Sequence, residues 1–282
     1  MVSKSGKLKT ADKEHSGAAR ARTKVHLKAI AIPAEHGGWG MVLEPILLGL
    51  LVVPSVTGLF LALAILASFL ARTPMKIVWK DTQRGRRYTR TKAAAQVLLL
   101  YSSLVIIGFT GAILVGGIQP ILPLLLVAPL IILQIWFDLF STGRKMLPEL
   151  MGPVALAAVA GGMALAAGWS WPQALALWAI PVLRAIPSIL YVRARLRLEK
   201  NKPVSTLPAN TAHFAAFATG MALARGGLIP LLATAALFIL LARAVYGLSS
   251  YRRPASTKTI GWSEICFGLL TVVFSAIGYW IG

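Results

Sequence analysis

Nine apolar stretches, all but the short one from Thr211 near the length that crosses a bilayer, leave this chain little choice but a bundle of membrane helices. They run approximately over Gly37–Val53, Thr57–Trp79, Ala93–Gly117, Pro120–Phe137, Leu147–Gly168, Trp171–Val192, Thr211–Ala224, Leu228–Tyr246 and Ser263–Ile281. About 20 mostly apolar residues span the roughly 30 Å of hydrocarbon. The runs are continuous rather than alternating, which predicts helices and not barrel strands. Of 282 residues, 57% are hydrophobic and only 13% charged, against about 25% charged in soluble domains. That leaves too little polar surface for a water-soluble globule, and it excludes a soluble enzyme, a disordered chain or a secreted disulfide scaffold. The lone cysteine, Cys266, has no partner within the chain. The expected fold is all-α, a polytopic transmembrane bundle of about nine helices. Short breaks rich in Gly, Pro and Trp, at Val53-Pro54-Ser55, Gly117–Pro120, Gly168–Pro172 and Gly226–Pro230, suit tight turns at one interface.

The 29 lysines and arginines against 9 acids give a formal charge of +20, and topology accounts for it. With the N-terminus inside and the spans alternating, all cations but Arg184 and Arg225 fall in inside segments or the span ends beside them. These are Lys4–Lys28, Arg72–Lys92, Arg144 with Lys145, Arg193–Lys202, and Arg243 with Arg252, Arg253 and Lys258. Such a bias predicts N-inside and C-outside in the cell's inner (plasma) membrane. The partner it calls for is the lipid bilayer, and no nucleic acid is needed. Residues 1–28 read as a disordered basic cytoplasmic tail that touches anionic lipid. Residues 29–282 read as a single transmembrane domain.

A weak repeat runs through the chain. Glu44-Pro45 in the first span corresponds to Glu149 and Pro153 in the fifth, and Arg84-Gly85-Arg86-Arg87 to Arg193-Ala194-Arg195-Leu196-Arg197. Repeated halves commonly enclose a site.

The chemistry-bearing residues are few. His36, Gly40 and Glu44 recur every four residues on one helical face, with Glu44 about 12 Å along the axis from His36. A carboxylate at that depth marks either a function or a buried pair that fixes packing. Arg184 lies nine residues before Arg193, about 13 Å from the same end of its span. An unpaired charge there costs several kcal/mol, so Glu44 and Arg184 are expected to face each other. His36 and Glu44 form the candidate proton-handling pair, with Arg184 as counter-charge; these three are the candidate catalytic residues. Arg72, Lys76 and Lys80 form a cationic stripe down the second span. Snorkelling accounts for the two lysines, whereas Arg72 lies deeper. With Arg193 and Arg197, and Arg195 between them, the stripe offers an anion-binding mouth suited to phosphate. Asp138 and Glu149 border the Arg144-Lys145 loop as its balance. Gly152, Gly161, Gly162 and Gly168 are expected to be close-packing contacts. No HExxH pattern and no Gly-Lys-Ser/Thr phosphate loop occurs, so neither a metal nor another cofactor is expected.

At Glu35-His36-Gly37-Gly38-Trp39-Gly40-Met41, followed by Glu44-Pro45 and Leu47-Leu48-Gly49, the sequence resembles the YwiC-like family of bacterial membrane proteins, as it does over Asp81–Lys92. The likeness runs from about Pro33 onward. Nine helices with special loops after the second and sixth are also similar to the UbiA-type prenyltransferases, as are Pro45–Gly49 and Pro153–Lys202. That resemblance implies Asp-rich loops holding Mg²⁺ on a prenyl diphosphate. Here the two loops carry only Asp81 and Glu199 among many cations, a poor Mg²⁺ site. The scaffold survives the comparison, with Arg and Lys where the acids would be.

The expected function is binding of an anionic amphiphile, an isoprenoid or lipid phosphate, in a basic intramembrane cavity on the cytoplasmic side. Three alternatives stand beside it: a UbiA-like prenyltransferase with degenerate metal motifs, a small proton-coupled transporter, and an accessory membrane subunit.

Overall fold

A computed structural model describes residues 27–33, 36–85, 88–140 and 146–282, with the His36 side chain left out. The expected tail from Lys4 to Lys24, and Glu35, Arg86, Arg87, Arg144 and Lys145, lie outside the described residues.

Eleven helices make up the described chain: α1 (Leu27–Ala31), α2 (His36–Val52), α3 (Val56–Gln83), α4 (Thr89–Gly116), α5 (Leu122–Leu126), α6 (Ala128–Phe140), α7 (Met146–Ala166), α8 (Trp171–Glu199), α9 (Leu207–Arg225), α10 (Leu231–Leu248) and α11 (Thr257–Ile281). Every expected apolar stretch is helical, and among the described residues there is no strand. Six helices, α3, α4, α7, α8, α10 and α11, are long and apolar enough to cross a membrane on their own. The chain is a multi-pass helical membrane protein.

Three of the nine expected spans depart from a single full crossing: the fourth, the first, and the seventh, whose helix α9 is not among the six that qualify. The fourth stretch is broken, with α5 and α6 meeting at an angle of 51° after a 3₁₀ turn at Gln119–Ile121. Pro129 enters one residue into α6; it has no N–H, and its ring clashes with the carbonyl four residues back, so one straight helix cannot run through Val127. The first stretch, α2, has 17 residues and falls short of a full crossing by length.

Several helices outrun their apolar cores. Helices α3 and α8 have 28 and 29 residues and carry cations beyond the hydrocarbon length. Helix α11 starts at Thr257, where the Ser256 hydroxyl accepts from Thr259 N–H at 3.1 Å. Glu264 therefore lies two turns inside the helix.

Helix α7 is the centre. Ala157, Ala158, Val159, Ala160, Met163 and Ala164 are all buried, and α2, α3, α6 and α8 pack around it. Small residues let backbones approach where lipid offers no hydrophobic drive. A Cβ on Gly162 would stand 2.4 Å from the Pro120 carbonyl oxygen, and one on Gly161 3.1 Å from that of Ala174. Gly168 differs from expectation: its φ of +81° and empty surroundings make it a turn residue, not a packing contact. Gly49 lets α2 close on Met163 of α7, so the first helices of the two suspected repeat hairpins, α2–α3 and α7–α8, meet at the centre.

The helix ends sort by charge. At one end lie the last turns of α3, α6, α8 and α10; among the described residues this basic end holds nearly all the cations. The opposite end is tied by Trp280, whose indole N–H donates to Leu51 O at 2.9 Å, and by Tyr279, which donates to Leu228 O at 3.2 Å. Arg225 is the one cation there among the described residues.

Candidate functional site

Four helices bring charge into the interior, and a fifth adds a neutral imidazole. Arg184 on α8 is 2% exposed. Its Nη2 lies 3.3 Å from Glu44 Oε1 on α2 and 3.7 Å from Glu264 Oε2 on α11, and it donates to the Glu264 main-chain carbonyl at 2.5 Å. That carbonyl is reachable because the residue one turn on is glycine. A Cβ on Gly268 would stand 3.0 Å from Arg184 Nη2 and 2.0 Å from Glu44 Oε1, so any other residue would occupy the room the ion pair uses. Arg184 Nη1 lies 3.8 Å from Met41 Sδ.

Glu264 extends the cluster. Its Oε1 accepts from Arg243 Nη1 of α10. Arg243 is stacked between the Tyr191 ring, 4.0 Å away, and that of Phe267, 4.8 Å away, a cation held by two π faces. Its Nη2 lies 3.5 Å from His213 Nε2 on α9. His213 Nδ1 is 2.8 Å from Ala209 O, which assigns the ring hydrogen to Nδ1 and leaves the Nε2 lone pair toward Arg243. Among the described residues, Glu44 Oε1, Glu264 Oε2, the Nε of both arginines and Ser188 Oγ, one turn beyond Arg184, have no hydrogen-bond partner.

A second cluster lies at the basic end. Arg72 of α3 donates to Asp138 of α6 with both Nε (2.8 Å) and Nη2 (3.0 Å), and Lys76 Nζ stands 2.9 Å from Asp138 Oδ1. With its amide turned to suit its neighbours, Gln134 donates to Pro148 O at 2.6 Å and accepts from Arg72 Nη2 at 3.1 Å. The next residue, Glu149 on α7, pairs with Arg193 of α8. Arg72, Lys76 and Arg193 thus form one connected rim through the first turn of α7. The two acids serve these cations, a finer assignment than the expected balance for the Arg144-Lys145 loop. Lys80 is exposed. Arg197 is exposed and donates to Pro203 O at 3.2 Å. Arg195 instead turns inward, to the Gly247 and Arg253 carbonyls and to Glu199 at 3.0 Å.

The two loop acids do not fit a Mg²⁺. Asp81 is forked by Arg90 (2.7 and 3.1 Å) and takes the Thr91 hydroxyl at 2.7 Å. Beyond the apolar length of α3, the hydrogen bonds from Arg90 and then Thr91 hold its carboxyl below the ordinary carboxylate range. Glu199 is engaged by Arg195, by Arg252 and by Ala255 N–H at 3.2 Å. A pocket of about 340 Å³ at the basic end is lined by Leu198, Glu199, Asn201, Ser250, Arg252 and Pro254; none of the expected anion-binding residues lines it.

Of the expected catalytic residues, the structure brings Glu44 and Arg184 together; the His36 side chain lies outside the described residues. The sequence reading missed Glu264, Arg243 and His213. The available signal was depth, since Arg243 lies about one and a half turns, Glu264 about two turns and Arg184 about four turns from the basic ends of their helices.

Residues 32–163 match the family model of YwiC-like protein. That stretch carries Glu44, Arg72, Lys76, Lys80, Asp138 and Glu149 and stops short of Arg184. No curated protein and no solved structure matches the chain.

Proposed function

From the premise that this is a membrane protein whose residues 32–163 are YwiC-like, we propose that it binds an anionic amphiphile, an isoprenoid or lipid phosphate, at its basic end. The observation that supports this reading is how Asp138 is seated. A bidentate guanidinium and an ammonium from one face of α3 close on a single carboxylate. Arginine and lysine offer a phosphate the same coordination. The Arg72 and Lys76 side chains are each 32% exposed, so a headgroup approaching from water reaches them. A phosphate monoester carries more charge than the carboxylate it displaces and takes the same fork. Arg193, Arg197 and Lys80 continue the rim.

The tail has a place beside the headgroup. Ile132, Trp136 and Phe140 on α6 are exposed, and an apolar chain anchored at Asp138 lies along them in the hydrocarbon. With the basic end facing the cytoplasm, the headgroup sits at the inner surface of the plasma membrane.

Native mass spectrometry of the full chain, titrated with farnesyl phosphate, dioctanoyl phosphatidic acid and neutral farnesol, tests this. The two phosphates bind and farnesol does not. Arg72→Ala weakens phosphate binding about tenfold or more, the loss of one charge-assisted contact, and Asp138→Asn strengthens it by freeing the fork. Equal binding of farnesol, or indifference to both substitutions, overturns the reading.

A further inference from the structure

Within the buried cluster the two carboxylates are held unequally. Glu264 has Arg243 on Oε1, Arg184 near Oε2, and its own carbonyl accepting from Arg184. Glu44 meets Arg184 Nη2 at 3.3 Å, yet its Oε1 accepts no hydrogen bond. An ionised carboxylate enclosed among helices and left without a hydrogen bond is strongly disfavoured. Taking up a proton removes the charge and turns an acceptor into a donor. Arg184 is uncommitted on the complementary side, since its Nε has no partner and its Nη1 has only the Met41 sulfur at 3.8 Å. A small rotation of the guanidinium would give an ionised Glu44 the two-point fork that Arg72 gives Asp138.

We propose that Glu44 is a proton-binding site inside the membrane, and that the proton's arrival and departure move Arg184 between the Glu264 carbonyl and the Glu44 carboxylate. With the proton on, Glu44 is a neutral carboxylic acid and Arg184 rests on Glu264, as in this structure. With the proton off, Glu44 is a carboxylate and Arg184 forks onto it. The proton comes from water and returns to it; only the carboxyl O–H bond forms and breaks.

Gly268 and Gly40 are an independent sign that this position is kept open. Cβ positions at the two glycines fall 2.0 and 3.1 Å from the same Glu44 oxygen, the first from the neighbouring helix α11 and the second from one turn back on Glu44's own helix. The surroundings assign the proton to Glu44 and not to its neighbour. From α8 only Arg184 faces it, with the hydroxyl of Ser188 a turn away. From α11 there is Glu264, which keeps its pair with Arg243 in both arrangements; behind Arg243 stand His213 and Tyr191. The charged groups of α3 and α7, which also pack on α2, are Arg72, Lys76, Lys80, Asp81 and Glu149. Lys80 is exposed, and the rest are engaged by Asp138, Arg90 and Arg193. On its own helix His36 lies two turns toward the basic end. Arg184 is the group that responds when Glu44 changes charge.

The site does not depend on the amphiphile, and its test uses none. Infrared difference spectra of the full chain in phosphatidylcholine bilayers, recorded across a pH titration, report protonated carboxyl groups through their C=O stretch. The expected result is a titrating band that vanishes in Glu44→Gln and persists in Glu264→Gln. In Arg184→Lys, which keeps the charge but cannot fork, the same band titrates about one pH unit higher, because the ionised form has lost its best partner. If Glu44→Gln yields no folded protein, the Arg184→Lys shift still decides. No titrating band, a band untouched by Glu44→Gln, or an unmoved midpoint in Arg184→Lys overturns the proposal.

Discussion

Removing Arg184 should unbalance the interior by a calculable amount. The guanidinium is 2% exposed and serves Glu44 at 3.3 Å and the Glu264 carbonyl at 2.5 Å. Arg184→Gln keeps some side-chain volume and deletes the charge. At a pH where Glu44 is ionised, it strands a carboxylate among helices, and breaking such a pair costs about 3–5 kcal/mol. Glu264 is spared the full loss because Arg243 remains on it. At acid pH, where Glu44 carries its own proton, what is lost is a hydrogen bond from a charged donor, about 1.5–3 kcal/mol. The destabilisation therefore grows as pH rises. The assay is reversible denaturant unfolding in mixed micelles, followed by tryptophan fluorescence. Adding Glu44→Gln to Arg184→Gln should restore about 0.5–3 kcal/mol, the coupling expected between residues in contact. A single substitution within about 0.5 kcal/mol of wild type, the range of an ordinary surface change, would refute the reasoning. So would strict additivity of the pair.

Three further outcomes are expected. Gly268→Ala drives a methyl into the carboxylate's room and costs about 1–3 kcal/mol by overpacking; most of that cost disappears in a Glu44→Ala background, measured by the same unfolding assay. The hydrogen bonds that hold Asp81 below the ordinary carboxyl range stabilise the α3–α4 joint above the unfolded value of about pH 3.9. That contribution is lost as pH falls through the lower folded value, so backbone amides near Arg90 should exchange faster only on acidification, and Asp81→Asn should remove the dependence. In a Cys266→Ser background, Arg225→Cys should react with an impermeant maleimide from outside the cell and Arg84→Cys should not, which fixes the direction of insertion.

The helices were legible because apolar length is written locally, residue by residue. Glu44 and Arg184 were legible as a pair for a different reason: each is intolerable alone at its depth, and each was the conspicuous charge in its span. Glu264 escaped because α11 starts six residues earlier than its apolar run, under the Ser256 cap. What looked like an acid at a span's edge is two turns inside. Arg243 resembled one more end cation, and nothing in its neighbourhood of the chain announces Tyr191 and Phe267 above and below it. The same holds for Asp138, whose nearest cations in sequence, Arg144 and Lys145, suggested a local role. Its partners are Arg72 and Lys76, more than sixty residues away. The break at Val127 was encoded by Pro129, but an uninterrupted apolar run concealed it.

The most direct test of the central claim, an anionic amphiphile held at the basic rim, is lipidomics by native mass spectrometry on the full chain purified from its own membrane in mild detergent. The account predicts a phosphorylated isoprenoid or lipid at fixed stoichiometry, lost in Arg72→Ala and retained more strongly in Asp138→Asn. Bulk membrane lipid in unchanged proportions across wild type and both variants would contradict it.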